Sequence, residues 1–375
     1  MTRYRDLGLT VGQLDPAPLN AITDVDGVRV GVTTLVSGDG PLVVGQGPIR
    51  TGVTAIVPHD DIESEAVFAG CHRLNGNGEL TGLEWVRESG QLTTPIAITN
   101  THSVGVVRDA IVAADMRART DIGAFWSLPV VGETWDGVLN DINGFHVTAE
   151  HLDAALDTAS TGIPPEGGVG GGTGMICHEF KGGTGTASRR LSAADGGWTV
   201  GALVQSNYGR RERLTVDGVP VGRELGTDVI PSPDPDDGSG SAAGSGSIIV
   251  IVATDAPLLP HQCERIAQRA GLGVARTGGA GEHSSGDLFL AFSTGNRGRL
   301  ASYKADGDPD PFDVTMLPDA AISPLFWATI EATEEAILNA LVAAETMTGI
   351  DGVTAHALPH DGLVEVMGRY GRGPR

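Results

Sequence analysis

The chain has 375 residues, 55 of them glycine, and a formal net charge of −22 at pH 7. That acidity, with Lys and Arg scattered rather than clustered, excludes the phosphate-neutralising surface that a nucleic-acid partner demands. Three cysteines, Cys71, Cys177 and Cys263, have no paired spacing, which argues against a disulfide framework; with no apolar leader and no run long enough to span a bilayer, the expectation is a cytoplasmic protein.

In chain order, Val28-Arg29-Val30-Gly31-Val32 alternates as a strand after the turn dipeptide Asp26-Gly27, and residues 53–57 make a second strand. Residues 71–82 read as a polar, glycine-punctuated loop, the kind that carries sites, before a short helix at 83–88. An apolar strand at 95–100 leads into a helix at 103–117 with Val106, Val107, Ile111 and Met116 at helical spacing. The turn between them, Asn100-Thr101-His102-Ser103, sets polar groups at a helix N-terminus, where N–H groups hold an anion or oxyanion. A strand at 128–131, a polar turn at 132–140 and a helix at 148–159 follow. Val-Gly-Gly-Gly-Thr-Gly at 169–174 fits neither phosphate-loop template and reads as close backbone packing. A strand at 198–207 ends in Gln205-Ser206-Asn207, after which residues 210–246 drift into a charged, proline-rich linker.

At Gly246 the chain changes character: Gly-Ser-Gly-Ser-Ala-Ala-Gly-Ser-Gly gives way at Ser247 to Ser-Ile-Ile-Val-Ile-Val-Ala-Thr, a run that fills a buried strand. Scission of the Gly246–Ser247 bond by the protein itself would leave Ser247 as a new N-terminus carrying both a nucleophile and its base. A serine hydroxyl needs such a base, and an α-amine with an unperturbed pKa of about 7.7–8.0 is tuned for it. An interdomain Gly/Ser linker fits this stretch equally well. Other Gly–Ser and Gly–Thr pairs, Gly172–Thr173, Gly183–Thr184 and Gly244–Ser245, lack an immediately following strand.

Beyond the seam come a helix at 257–270, with Pro260 near its start and Gly271 at its end, a strand at 287–294, and a helix at 323–346 keeping one apolar stripe. Strand runs with intervening helices suggest stacked sheets with helices outside. Ser285-Gly286-Asp287, at a strand mouth, offers a hydroxyl and a carboxylate able to orient an amine; a plain turn is the alternative. Asn207 is either an oxyanion donor or an ordinary turn former. Glu133 beside Trp135 can hold a substrate ammonium by charge and ring face, or lie in a solvated loop. Cys177-His178-Glu179 does not read as a thiol nucleophile, and the dispersed His and Cys give no metal spacing, so neither metal nor other cofactor is expected.

Several longer stretches resemble the L-aminopeptidase/D-esterase-amidase family, which includes the β-peptidyl aminopeptidases. They are Pro18-Leu19-Asn20-Ala21-Ile22-Thr23-Asp24-Val25, Leu74-Asn75-Gly76-Asn77-Gly78-Glu79, Thr99-Asn100-Thr101-His102-Ser103-Val104-Gly105, Glu133-Thr134-Trp135-Asp136-Gly137, residues 170–181, and Ala253-Thr254-Asp255-Ala256-Pro257-Leu258-Leu259-Pro260. The resemblance implies an α+β fold, a four-layer αββα sandwich layered like N-terminal-nucleophile hydrolases but differently connected. It implies one unit over 1–375, cut into chains 1–246 and 247–375 that stay together and assemble as a tetramer of heterodimers. By the same analogy Ser247 is the nucleophile, Ser285 and Asp287 its polar support, Asn207 an oxyanion contributor, and Glu133, beside Trp135, the reader of the substrate amine. This chain departs from the family in carrying aspartate at 287, where relatives carry glutamate, and in a longer linker before Ser247. The implied activity is release of N-terminal residues from small peptides, amides and esters. A related acyltransferase, whose relatives use threonine as nucleophile, and an uncleaved binding protein are the alternatives.

Overall fold

The structure is a computed structural model and describes residues 1–118, 125–233, 246–300 and 311–374. The first half contributes β1 (Arg29–Ser37), β2 (Ile49–Val57), β3 (Val67–Gly76), α1 (Leu83–Ser89), β4 (Gln91–Leu92), β5 (Ile96–Asn100), α2 (Val104–Ala118), β6 (Val130–Thr134) and α3 (Ala149–Asp157). Next come β7 (Ile176–Cys177), β8 (Phe180–Lys181), β9 (Gly183–Arg190), β10 (Thr199–Asn207) and α4 (Val221–Glu224). Past the seam lie β11 (Ser247–Thr254), α5 (Pro260–Arg276), β12 (Gly286–Ser293), α6 (Ser323–Val342) and α7 (His360–Arg369).

Two sheets face each other, one of four strands in the order β1-β2-β5-β6 and one of six in the order β4-β3-β12-β11-β10-β9. Strand β11 explains why they stack. Its residues alternate, so Ile248, Val250 and Val252 join the core under α5 and α6, whereas Ile249, Ile251 and Ala253 meet Ile56, Ile98 and Val130 of the other sheet. The far face of the four-stranded sheet, through Val53, Ala55 and Ala97, packs on Val107, Ile111 and Leu152 of α2 and α3. Helix, sheet, sheet, helix: the four-layer αββα order stands, and burying each large side chain of β11 contributes about 1.5–3 kcal/mol.

The Gly183–Thr184 pair, expected to lack a following strand, opens β9. Residues 71–76 are not loop but the end of β3, paired with β12 as far as Gly76; their solvent-facing polar residues hide the strand. Strand β6 runs on to Thr134 because it pairs in parallel with β5 up to Asn100, so Glu133 stands on a strand and not in a turn. Helix α5 starts at Pro260 and passes through Gly271 to Arg276. Glycine there serves packing rather than termination, since a Cβ at Gly273 would lie 2.6 Å from the Thr333 Cβ of α6. Helix α6 is buried around its circumference, not along one stripe, and ends at Val342. Of the linker, residues 210–233 pack against the body with Arg211 buried, while 234–245, including the Gly244–Ser245 pair, lie outside the described residues. Close packing at 169–174 holds: a Cβ on Gly171 would sit 2.5 Å from the Ile98 carbonyl oxygen.

The buried faces of α6 carry acids because cations meet them. Arg189, fully buried, pairs with Glu335 at 2.7 Å and Glu331 at 3.2 Å, and Arg5 reaches Glu335 at 2.7 Å. Asn20 Nδ2 also donates to Glu335 at 2.6 Å. Burial alone would raise the Glu335 carboxyl, but Arg189 and Arg5 outweigh it and hold the group below the ordinary carboxylate value. Its stabilisation is therefore complete above that ordinary value and is lost as pH falls through the lowered folded one. Glu335→Ala, which takes one of its two carboxylates from buried Arg189 and the partner from Arg5, is expected to cost about 3 kcal/mol in denaturant unfolding. Asp153→Ala, breaking the exposed Arg117 pair, is expected to cost about 0–1 kcal/mol by the same measurement.

Candidate active site

Three neighbouring strand ends build the site. Ser247, the first residue of β11, stands opposite Asn207, the last of β10, and beside Gly286, the first of β12. The Gly286 N–H donates to Ser247 Oγ at 3.1 Å. Gly286 is tightly held, since a Cβ there would meet the Asn77 carbonyl oxygen at 2.4 Å. Gly246 is held tighter still: a Cβ would come within 2.0 Å of the Asn207 carbonyl oxygen and 2.5 Å of Tyr208 Cα. Such distances demand backbone movement, so only glycine fits before Ser247.

Ser247 and Gly246 open onto a cavity of about 570 Å³ that is also lined by Glu133, Thr101, Gly78, His102 and Trp135. Glu133 is buried; its Oε1 accepts the Glu79 N–H at 2.8 Å and its Oε2 accepts the Thr101 hydroxyl. Burial raises its pKa above the ordinary glutamate value, and the Thr101 and Glu79 hydrogen bonds offset part of that rise. Trp135 is 42% exposed at the rim. The cavity thus holds a hydroxyl and a buried carboxylate in one lining.

Asn207, Ser285 and Asp287 stand behind this lining. The Asn207 amide is fixed at both ends: Ile176 N–H donates to Oδ1 at 2.8 Å and Nδ2 donates to the Trp135 carbonyl at 2.9 Å. Ser285 Oγ donates to Asp287 Oδ1 at 2.6 Å, and the Ile248 backbone also bonds the Asp287 carboxyl, whose pKa burial nevertheless raises. Among the described residues neither Ser285 nor Asp287 bonds Ser247 Oγ; the residue between them does. Sequence reasoning missed the grip of Thr101 and Glu79 on Glu133. It marked the 100–103 turn and the 71–82 loop only as places for a site.

Cys177 is buried in β7, its thiol pushed up to about 12 by burial, and it bonds the Ser206 hydroxyl. That is the chemistry of a packed side chain, not a nucleophile. One metal-sized cluster exists among the described residues: His59, Asp61 and Glu65 bring ligand atoms within 4.8 Å of one another. It lies outside the Ser247 cavity, and the Asp61 N–H already occupies His59 Nδ1 at 3.2 Å.

Four such layers, with a serine opening a central strand and sharing a cavity with a buried carboxylate, define a hydrolase with the layering of the N-terminal-nucleophile fold. The profile of peptidase family S58 matches residues 20–355, and the chain belongs to that family. It is 49% identical to the beta-peptidyl aminopeptidase BapA of Sphingosinicella microcystinivorans, over 99% of this chain and 93% of that one. Among solved structures, a Burkholderia sp. beta-aminopeptidase superposes with a TM-score of 0.90 at 54% identity, covering 99% of both chains. The L-aminopeptidase D-Ala-esterase/amidase of Ochrobactrum anthropi, described as a prototype for the serine aminopeptidases and a variant of the Ntn hydrolase fold, gives 0.87 at 43% identity, again covering 99% of both. The protein is accordingly a serine aminopeptidase and amidase acting on peptide and amide substrates.

Cys177→Ala is expected to leave turnover of an aminoacyl p-nitroanilide essentially unchanged, measured on folded protein; abolished turnover would reinstate the thiol.

Proposed function

We propose that the chain cuts itself at Gly246–Ser247 and then works as an aminopeptidase whose N-terminal Ser247 is both nucleophile and base. The observation that carries this reading is the slot at 246, which admits no side chain, opening into the same cavity as Ser247 and Glu133. In processing, Ser247 Oγ attacks the Gly246 carbonyl carbon and the C–N bond breaks. The acyl group passes to oxygen, the nitrogen becomes the Ser247 α-amine, and water then cleaves the ester. The products are chains 1–246 and 247–375.

In turnover the new amine takes the Oγ proton as Oγ attacks the substrate carbonyl, then returns it to the leaving amine. Asn207 and a backbone N–H stabilise the oxyanion, while Ser285 and Asp287 orient the Ser247 amine. Water releases the acyl group by the same steps. Glu133 binds the substrate's free ammonium by charge-assisted hydrogen bonding, with the Trp135 ring at the rim. Substrates with N-terminal β-amino acids are the first class to test, because the 49% and 54% identical relatives are named for β-peptidyl or β-amino activity. A p-nitroanilide panel of β-alanine, L-alanine and D-alanine compares this class with the others.

We further infer assembly into a tetramer of heterodimers, to which the exposed apolar Leu42, Val43 and Val44 lend support. A cytoplasmic location fits three buried unpaired thiols.

Ser247→Ala is expected to remain one full-length species without turnover; an Ala variant with normal turnover would end the nucleophile assignment. Glu133→Gln is expected to raise KM for free-amine substrates about 10- to 100-fold, matching the roughly 1.5–3 kcal/mol of a hydrogen bond to a charged group. N-acylated esters should change little, and equal losses on both would remove Glu133 from amine recognition. Because burial raises the Glu133 pKa, it becomes neutral as pH falls through a value above the ordinary one. KM for amine substrates should rise there, and in Glu133→Gln that limb should vanish from the pH profile.

A further inference from the structure

Lys181 ends β8 with its side chain fully buried. Among the described residues its Nζ meets only backbone carbonyls: Gly182 at 2.7 Å, Met175 at 2.8 Å and Gly172 at 3.4 Å. A buried cation without an opposing carboxylate is costly, so the fold retains it against a desolvation penalty. Cys177, the titratable neighbour, stays a neutral thiol, because burial pushes it up to about 12. Burial also brings the Lys181 ammonium down to about 7, leaving the three carbonyls as its support.

The Met175 carbonyl bound by Lys181 belongs to the peptide group whose N–H is that of Ile176. That N–H donates to Asn207 Oδ1 at 2.8 Å. A single peptide plane therefore links the ammonium to the Asn207 amide, and Asn207 stands opposite Ser247 across the β10–β11 pair. We propose that Lys181 is a positioning residue for turnover, orienting and polarising the Asn207 amide through the Met175–Ile176 peptide. Two effects act in series. Rotating that peptide would break the Lys181 and Asn207 bonds together. An ammonium on the carbonyl also makes the N–H beyond it a stronger donor, as hydrogen bonds in chains reinforce one another.

The far end of the same hairpin is fixed separately. Its turn, His178-Glu179, has φ of 48° and 60°, and Arg211 donates to the carbonyls of His178 at 3.0 Å and Glu179 at 2.6 Å. With the tip clamped by Arg211, Lys181 is the clamp at the root, where the hairpin touches Asn207.

This inference rests on Asn207 acting as the oxyanion donor, and the test separates the two. Lys181→Met, Asn207→Ala and the double variant are compared by kcat and KM on a β-alanine p-nitroanilide, with turnover referred to the amount of fragment 247–375 by mass. Lys181→Met is expected to lose kcat by about 10-fold or more with KM little changed, and to add nothing to the loss in Asn207→Ala. Wild-type kcat in Lys181→Met, or losses that multiply in the double variant, would overturn the proposal. Normal kcat in Asn207→Ala would instead overturn the reading of Asn207. Should Lys181→Met not accumulate folded, Lys181→Gln, which keeps N–H donors without charge, runs through the same cycle. A kcat loss that does not add to that of Asn207→Ala supports the proposal, and a lowered melting temperature with unchanged kcat overturns it.

Discussion

The constraint on which the rest depends is the seating of β11 between β10 and β12, buried on both faces, with its first residue at the cavity and the residue before it pressed against the Asn207 carbonyl. A strand packed on two cores cannot slide by one residue without exchanging every inward and outward side chain. Ser247 is thus held in register by Ile248, Ile249 and the residues after them, far more firmly than a loop would hold it. The Ser247 hydroxyl takes its position from apolar packing several residues away.

The same arrangement would keep the molecule together were the backbone opened at 246, as proposed. Strand β11 pairs with β10 from before the seam, and β12 pairs with β3 from well before it. Arg5 and Arg189 from one side hold Glu335 from the other, inside the protein. Segments before and after the seam that share a sheet, two cores and a buried ion cluster would have no surface along which to separate.

Much of this was legible in the residues. The β-branched run after Gly246 disclosed the central strand, because a strand buried on both faces needs no alternation to be seen. The motif around Glu133 singled out a residue that lines the cavity but put it in a turn: its strand depends on parallel pairing with β5, a partner that no local pattern reveals. The end of β3 was read as loop since Asn75 and Gly76 look like turn residues, although β12 pairs with them. Helix α6 looked amphipathic because the acids that break its apolar run meet arginines distant in the chain. Lys181 carried no signal at all, as its carbonyl partners are backbone atoms common to every residue.

The cavity is lined by both a buried carboxylate with a raised pKa and the seam serine, and the proposed function builds on that pairing. The most direct test of the account is to stop a steady-state reaction with acid and map the acyl group by mass spectrometry. The account predicts an acyl ester on Ser247 at the start of a fragment 247–375. An acyl group on any other residue, or on a chain with 246 and 247 still joined, would contradict it.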